Sequence, residues 1–205
     1  MTIVSYKGSN DYIFYDTFAG GVLELPTHDS SWSAITGVFS TNGLGSAKVT
    51  TAPAIVAVDA GTSDAAIYAQ TSTPDGSSSV ALIFRFQDSN NYWEFRIQGP
   101  RGENPTGKLT KYVSGVATDV ATQEMTGQGP ISLLKWFVIC DGNNIRCSAK
   151  CTTWENGYCD LTTVDSYLSS ETEFGMYGFD TDPSWQFFYV SDVEVGIIDS
   201  TNPFI

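Results

Sequence analysis

The residues best suited to chemistry lie in one stretch, VALIFRFQDSNNYWEFRIQG, residues 80–99. Arg85, Gln87, Tyr92, Glu94 and Arg96 alternate there with apolar neighbours and would share the polar face of a hairpin. Sugar recognition uses exposed aromatic platforms flanked by polar groups, and this set offers both. Trp154, Tyr158 and Trp185 would add platforms from loops. The plainer reading makes Arg85 and Glu94 a cross-strand ion pair contributing roughly 0.2–1 kcal/mol. On that reading the loop aromatics pack under loops or at subunit contacts.

Other groupings offer less. An acyl-transfer triad needs a nucleophile, a base and an orienting group. The sole histidine, His28, sits in the turn-rich segment Pro26-Thr27-His28-Asp29-Ser30 and reads as a surface-loop residue. Asp192 and Glu194 share a strand face and resemble a carboxylate pair. The loop aspartates Asp16, Asp88, Asp141, Asp180 and Asp182 invite a calcium reading, but turn formation accounts for them and no EF-hand-like spacing is present. Cys140, Cys147, Cys151 and Cys159 are separated by six, three and seven residues, with no CxxC pair for zinc. A Cys151–Cys159 disulfide across an Asn156-Gly157 turn is one reading, and free thiols in a reducing cytoplasm the other. No catalytic residue, metal or cofactor is expected.

Positioning the polar face falls to the hairpin. Val80, Leu82, Phe84 and Phe86 alternate on one arm and Trp93, Phe95 and Ile97 on the other, around Asp88-Ser89-Asn90-Asn91. A tight turn there predicts Phe86 opposite Trp93, Phe84 opposite Phe95 and Leu82 opposite Ile97 on the core side. Gln87 then faces Tyr92, and Arg85 faces Glu94, on the other side. Strand signals recur over 12–18, 34–40, 47–51, 55–59, 65–71, 80–87, 92–98, 107–113, 116–122, 133–141, 145–151, 174–179 and 185–196. Asp141-Gly142-Asn143-Asn144 and Val113-Ser114-Gly115-Val116 read as tight turns with glycine where positive φ is needed. Consecutive hairpins without a sustained helical period predict an all-β, antiparallel sandwich or jelly roll. Residues 12–198 form its one domain. Residues 1–11 form an N-terminal arm, and 199–205 a C-terminal tail ending in Phe204-Ile205.

The chain has 205 residues, enough for a sizeable core, with 13% aromatic and 16% charged residues. Its net charge of −13 repels phosphate backbones and argues against nucleic acid as a partner. No apolar run approaches a membrane span, and the first residues lack the features of a secretory signal.

Several motifs, in order, resemble the concanavalin A-like, laminin-G-like jelly-roll modules. They begin with Asp16-Thr17-Phe18, Trp32-x4-Gly37-x-Phe39 and Asn42-Gly43-Leu44. Next come the Val80–Trp93 segment, Lys108-Leu109 with Tyr112, and Trp136–Ile145. Gly175-Met176-Tyr177-Gly178 and Val190–Val195 complete the set. The resemblance covers roughly residues 14–198 and departs from the usual pattern between Lys150 and Leu168. Related sandwich glycosidases carry a Glu-x-Asp-x-(x)-Glu strand motif that this chain lacks. Such modules occur in bacterial secreted proteins and in bacteriophage virions, where they bind sugars, bind proteins or build particles. The resulting expectation is a non-enzymatic bacteriophage virion structural protein, folded in the host cytoplasm and carried outside the particle as a capsid decoration or tail-associated subunit. It would form a homo-oligomer and contact other virion subunits through its arms. The alternative is a carbohydrate-binding module or adhesin that reads host glycans.

Overall fold

Period-two alternation of apolar residues builds thirteen strands and one helical turn among the described residues of the computed structural model, which are 12–72, 80–99, 104–125, 133–152, 157–181 and 184–193. The strands are β1 (Tyr12–Asp16), β2 (Ser33–Thr41), β3 (Ala47–Asp59), β4 (Ala65–Ser72), β5 (Val80–Asp88), β6 (Asn91–Gln98) and β7 (Thr106–Val113). β8 (Val116–Glu124), β9 (Leu133–Asp141), β10 (Asn144–Cys151), β11 (Tyr158–Val164), β12 (Glu173–Gly178) and β13 (Ser184–Asp192) follow. The helical turn α1 spans Leu25–His28.

All pairings are antiparallel. One layer runs β11-β10-β9-β4-β13, with β1 on β13. The other runs β3-β12-β5-β6-β7-β8, with β2 on β3. β13 passes from one layer to the other where Ser184 and Trp185 pair with Lys48 and Ala47. At the far edge the Asp160 amide of β11 donates to Oε1 of Gln123 on β8, 3.0 Å away. The result is the expected jelly-roll sandwich.

The main core lies between the layers. Phe95 of β6 meets Trp136 of β9 edge to face at 5.4 Å, and Trp136 lies 6.3 Å from Trp185. The Trp136 indole N–H donates to Thr71 Oγ1, so this ring leaves no polar atom orphaned. Gly37, at φ +59, packs against the backbone of Thr51 and Pro53, where a Cβ would strike their carbonyl oxygens.

Several expectations are corrected. The 47–51 and 55–59 strands are one strand, β3, because Pro53 falls opposite the irregular stretch of β2 and interrupts nothing. Tyr158–Val164, absent from the expected strands and inside the Lys150–Leu168 stretch where the resemblance lapses, is a full strand on β10. The hairpin register also differs. Phe84 pairs with Trp93, Leu82 with Phe95 and Val80 with Ile97, whereas Asp88 pairs with Asn91. Arg85, Phe86 and Gln87 therefore bulge opposite Tyr92, with Arg85 at φ +47. The bulge inverts the alternation, sending Arg85 inward and Phe86 outward. The proposed arms, 1–11 and 199–205, lie outside the described residues.

Candidate functional site

The outward face of the hairpin and of the two strands beside it carries an ordered polar surface. Directly opposed residues share a face of a sheet, and the register lays three rows across it. The middle row is Ile83, Glu94, Thr110 and Asp119 on β5, β6, β7 and β8. One neighbouring row holds Tyr92 and Tyr112, with Phe86 beside them. The other holds Tyr177, Ala81, Arg96 and Lys108.

Aromatic rings wall the middle row on both sides. Tyr92 and Tyr112 stack at 4.3 Å, with Phe86 at 5.8 Å from Tyr92. Tyr177 stacks on Phe179 at 3.9 Å, and the Arg96 guanidinium lies over Phe179 at 3.7 Å. Between the walls, Arg96 Nε donates to Glu94 Oε1 at 2.7 Å. Thr110 Oγ1 donates to Asp119 Oδ1 at 2.8 Å, and Lys108 Nζ to Asp119 Oδ2 at 3.1 Å. Two cations and two carboxylates thus pair off. One atom is left over: Glu94 Oε2, on a side chain only 1% exposed, has no hydrogen-bond partner. An unmet buried carboxylate oxygen costs free energy.

The two carboxyls are driven apart in proton affinity. Burial raises Glu94, the charge of Asp119 adds to this, and Arg96 opposes it. The Thr110 hydroxyl, helped by Lys108, holds Asp119 below the usual carboxylate range. Tyr92, Tyr112 and Tyr177 are all raised, first by burial and then by the charge of Glu94.

The residues singled out from sequence separate into groups. Tyr92, Glu94 and Arg96 come together as described, and Gln87 is exposed nearby. Arg85 leaves the set. It is fully buried and donates from Nη2 to the Gly142 carbonyl and from Nη1 to the Asp165 carbonyl at 3.2 Å. The expected Arg85–Glu94 pair is replaced by Glu94–Arg96. Trp185 is core, not platform. Tyr158 is half-buried on β11, on the other sheet, and Trp154 lies outside the described residues. Sequence reading missed Tyr112, Thr110, Asp119, Lys108 and Tyr177. Their outward alternation on β7, β8 and β12 was visible, but their adjacency depended on strand order.

Corrections extend to the minor groupings. His28 is no free loop residue, since its Nε2 lies 3.1 Å from Asp16 Oδ1. Asp16 also accepts from the Phe18 amide and from the Trp32 indole at 2.8 Å, so it ties β1 to α1 and β2. Asp88 caps its own turn by accepting from the Asn90 amide. Glu194 and Asp182 lie outside the described residues. Among the described residues, no group of three or more histidine, cysteine, aspartate or glutamate side chains is placed to hold a metal ion.

All four cysteines are buried thiols outside any disulfide. The register puts Cys159 opposite Ala149 rather than Cys151, which corrects the disulfide expectation. Burial pushes the Cys140 and Cys159 thiols up to about 12 and Cys147 well above its ordinary value. The native protein is therefore expected not to react with a thiol reagent at neutral pH, whereas all four cysteines react once it is denatured. Rapid native labelling, read by intact mass, would contradict this.

The outward side of the other sheet carries a second aromatic row: Tyr15, Tyr189, Tyr68 and Phe137 on β1, β13, β4 and β9. Tyr68 lies 5.0 Å from Tyr189, and Tyr12 lies 4.7 Å from it.

No family model and no curated protein sequence matches this chain. Solved structures do. A xylan β-1,4-xylosidase from Bacillus halodurans C-125 superposes with TM-score 0.63 at 10% identity, covering 91% of this chain and 40% of the xylosidase. The chain thus spans well under half of that protein's length. The CBM2 module of the evolved Dit of Lactobacillus casei BL23 phage J-1 gives TM-score 0.59 at 11% identity, covering 92% of this chain and 97% of the module. A β-glucanase from Bacillus licheniformis gives 0.58 at 8% identity, covering 91% and 100%. At such identities the likeness establishes the fold, which is the concanavalin A-like jelly roll. The expectation of a non-enzymatic chain is overturned here. A xylosidase and a glucanase share this fold, so it gives no ground for excluding catalysis.

Proposed function

We propose that this chain is a carbohydrate-binding module of a bacteriophage particle and that it reads neutral host-surface glycans with the Glu94 face. The observation that carries the reading is the pair of aromatic walls, Tyr92 on Tyr112 and Tyr177 on Phe179, flanking a polar row, with Tyr112, Tyr177 and Phe179 partly exposed. A sugar is amphipathic: its C–H face covers an aromatic ring, and its hydroxyls exchange hydrogen bonds with the charged groups between the walls. Arg96, Lys108 and Asp119, all partly or well exposed, form the rim through which the ligand enters. The charges of the face are paired off, and the chain carries −13 overall, so a polyanionic glycan would be repelled. The phage assignment is supported by the likeness, over nearly the whole of both chains, to a module described as belonging to a phage Dit.

Glycan-array binding followed by calorimetry tests the reading. Tyr112→Ala, which removes one ring of the stacked wall, is expected to weaken binding about tenfold, since such a ring pair contributes roughly 0.5–1.5 kcal/mol. Binding unchanged by Tyr112→Ala and by Tyr177→Ala would overturn it. Attachment to the particle is assigned to residues 1–11 and 199–205. Deleting both is expected to abolish incorporation into virions while leaving glycan binding intact. Incorporation that survives both deletions would remove that assignment.

A further inference from the structure

We propose that Arg96 sets the specificity of this face by clamping two adjacent free hydroxyls of a neutral sugar, so that unsubstituted vicinal diols are read and glycans alkylated or acylated there are rejected. The proposal rests on the binding reading above and adds the sugar chemistry that is recognised.

The alternation of β6 brings Tyr92, Glu94 and Arg96 to one face of the strand. Glu94 is 1% exposed and lies beneath the surface, out of a ligand's reach. Its Oε1 accepts from Arg96 Nε at 2.7 Å, and the Arg96 side chain keeps 21% of its surface exposed. The guanidinium carbon sits 3.7 Å from the centre of the Phe179 ring, and Phe179 stacks on Tyr177 at 3.9 Å. One nitrogen is thus tied to a buried carboxylate while the group rests on a ring. Glu94 is a positioning residue, acting through Arg96.

This anchoring prepares Arg96 for binding. A long side chain ordinarily loses rotamer freedom when it engages a ligand, and here the fold has already removed that freedom. Arginine presents its N–H donors in a rigid planar fork, which the single ammonium of lysine does not reproduce. Among the described residues Arg96 donates through Nε alone, and neither Nη group is a buried unpartnered atom, so the open side of the fork faces solvent.

Two oxygens side by side match such a fork, and a glycan offers them either as a carboxylate or as adjacent hydroxyls. The surroundings favour hydroxyls. Glu94 already pairs with Arg96, and Asp119 lies within the field of the same guanidinium. The chain as a whole carries −13, which disfavours a second anion. Asp119 is 43% exposed, is held by Lys108 and Thr110, and as a carboxylate retains lone pairs for further donors. A hydroxyl can accept from Arg96 and donate to Asp119. An ether or ester in its place cannot donate, and it adds bulk between the walls.

The test uses the full chain on an array, followed by calorimetry, with neutral xylo-, manno- and galacto-oligosaccharides. Each is supplied free, with one vicinal pair methylated, and with one sugar replaced by its uronate. At least one free form is expected to bind about tenfold or more tightly than its methylated form, because bonds to a charged group are the stronger class. Arg96→Lys keeps the charge and removes the fork, whereas Glu94→Gln weakens the hold on Nε. Each is expected to bring the ratio of the two affinities to within about threefold. Tyr112→Ala should weaken both forms alike and preserve the ratio. A merely structural role for Arg96 or Glu94 would also weaken both forms together, so the ratio separates the two. A wild-type ratio near one, or a ratio unchanged in Arg96→Lys, would overturn the proposal while leaving the binding reading intact. A ratio unchanged in Glu94→Gln alone would remove the positioning role. Tighter binding of the uronate form would overturn the proposal together with the neutral-ligand part of the reading, and no binding to any glycan would overturn both.

Discussion

Arg85→Ala is expected to lower stability by about 2–4 kcal/mol, although sequence alternation places this residue on an exposed face. Its guanidinium is fully buried and donates to two main-chain carbonyls, those of Gly142 in the β9–β10 turn and Asp165 after β11. Truncation leaves both acceptors short of a donor and opens a void the size of a long side chain. The damage falls on a joint that other groups share. Lys111 Nζ holds the Asp165 carboxylate at 2.6 Å, and the Trp93 indole donates to the Tyr167 carbonyl at 3.0 Å. One offset works the other way: Arg85 Nε is itself unpartnered, and burying a guanidinium without a carboxylate is costly. The orphaned carbonyls and the cavity outweigh that gain. At roughly 2–4 °C per kcal/mol for a chain of this size, the midpoint of thermal unfolding should fall by about 5–15 °C. A loss under about 0.5 kcal/mol is what an exposed arginine would give, and it would restore the unbulged hairpin.

Trp185→Ala is expected to cost about 3–5 kcal/mol, the usual range for deleting a buried tryptophan. Trp185 is fully buried beside Trp136 at the point where β13 crosses between the layers. Its indole nitrogen has no hydrogen-bond partner, so its contribution is packing alone. A sugar platform at this position would behave in the opposite way, losing affinity with little change in stability. Calorimetric unfolding and glycan binding, both measured well below the variant's midpoint, separate the two. Full affinity in a destabilised protein is the expected pair of results.

These two residues mark where sequence reading stopped. Alternation correctly placed Leu82, Phe84, Trp93 and Phe95 in the core, because a fixed period of two needs no knowledge of partners. It misplaced Arg85 and Phe86 because a bulge adds residues to one arm only and leaves no mark in the pattern. The outward face of β6 was legible as Tyr92, Glu94 and Arg96. Its completion by Thr110, Tyr112 and Asp119 was not, since those residues reach Glu94 only through the pairing of β6 with β7 and of β7 with β8. β11 was legible and passed over: Cys159 and Leu161 alternate inward with Tyr158, Asp160 and Thr162, inside the Lys150–Leu168 stretch where the resemblance lapses. The Cys151–Cys159 pairing failed because the register of β10 with β11 sets Cys159 opposite Ala149, which neither strand's own pattern reveals.

Backbone amide shifts recorded while a bound neutral glycan is titrated into the protein locate the ligand directly. The largest changes are expected at Tyr92, Glu94, Arg96, Thr110, Tyr112 and Asp119, with Tyr15, Tyr68 and Tyr189 on the opposite sheet unmoved. Changes gathered on Tyr15, Tyr68 and Tyr189, with the Glu94 rows silent, would contradict the assignment of this face.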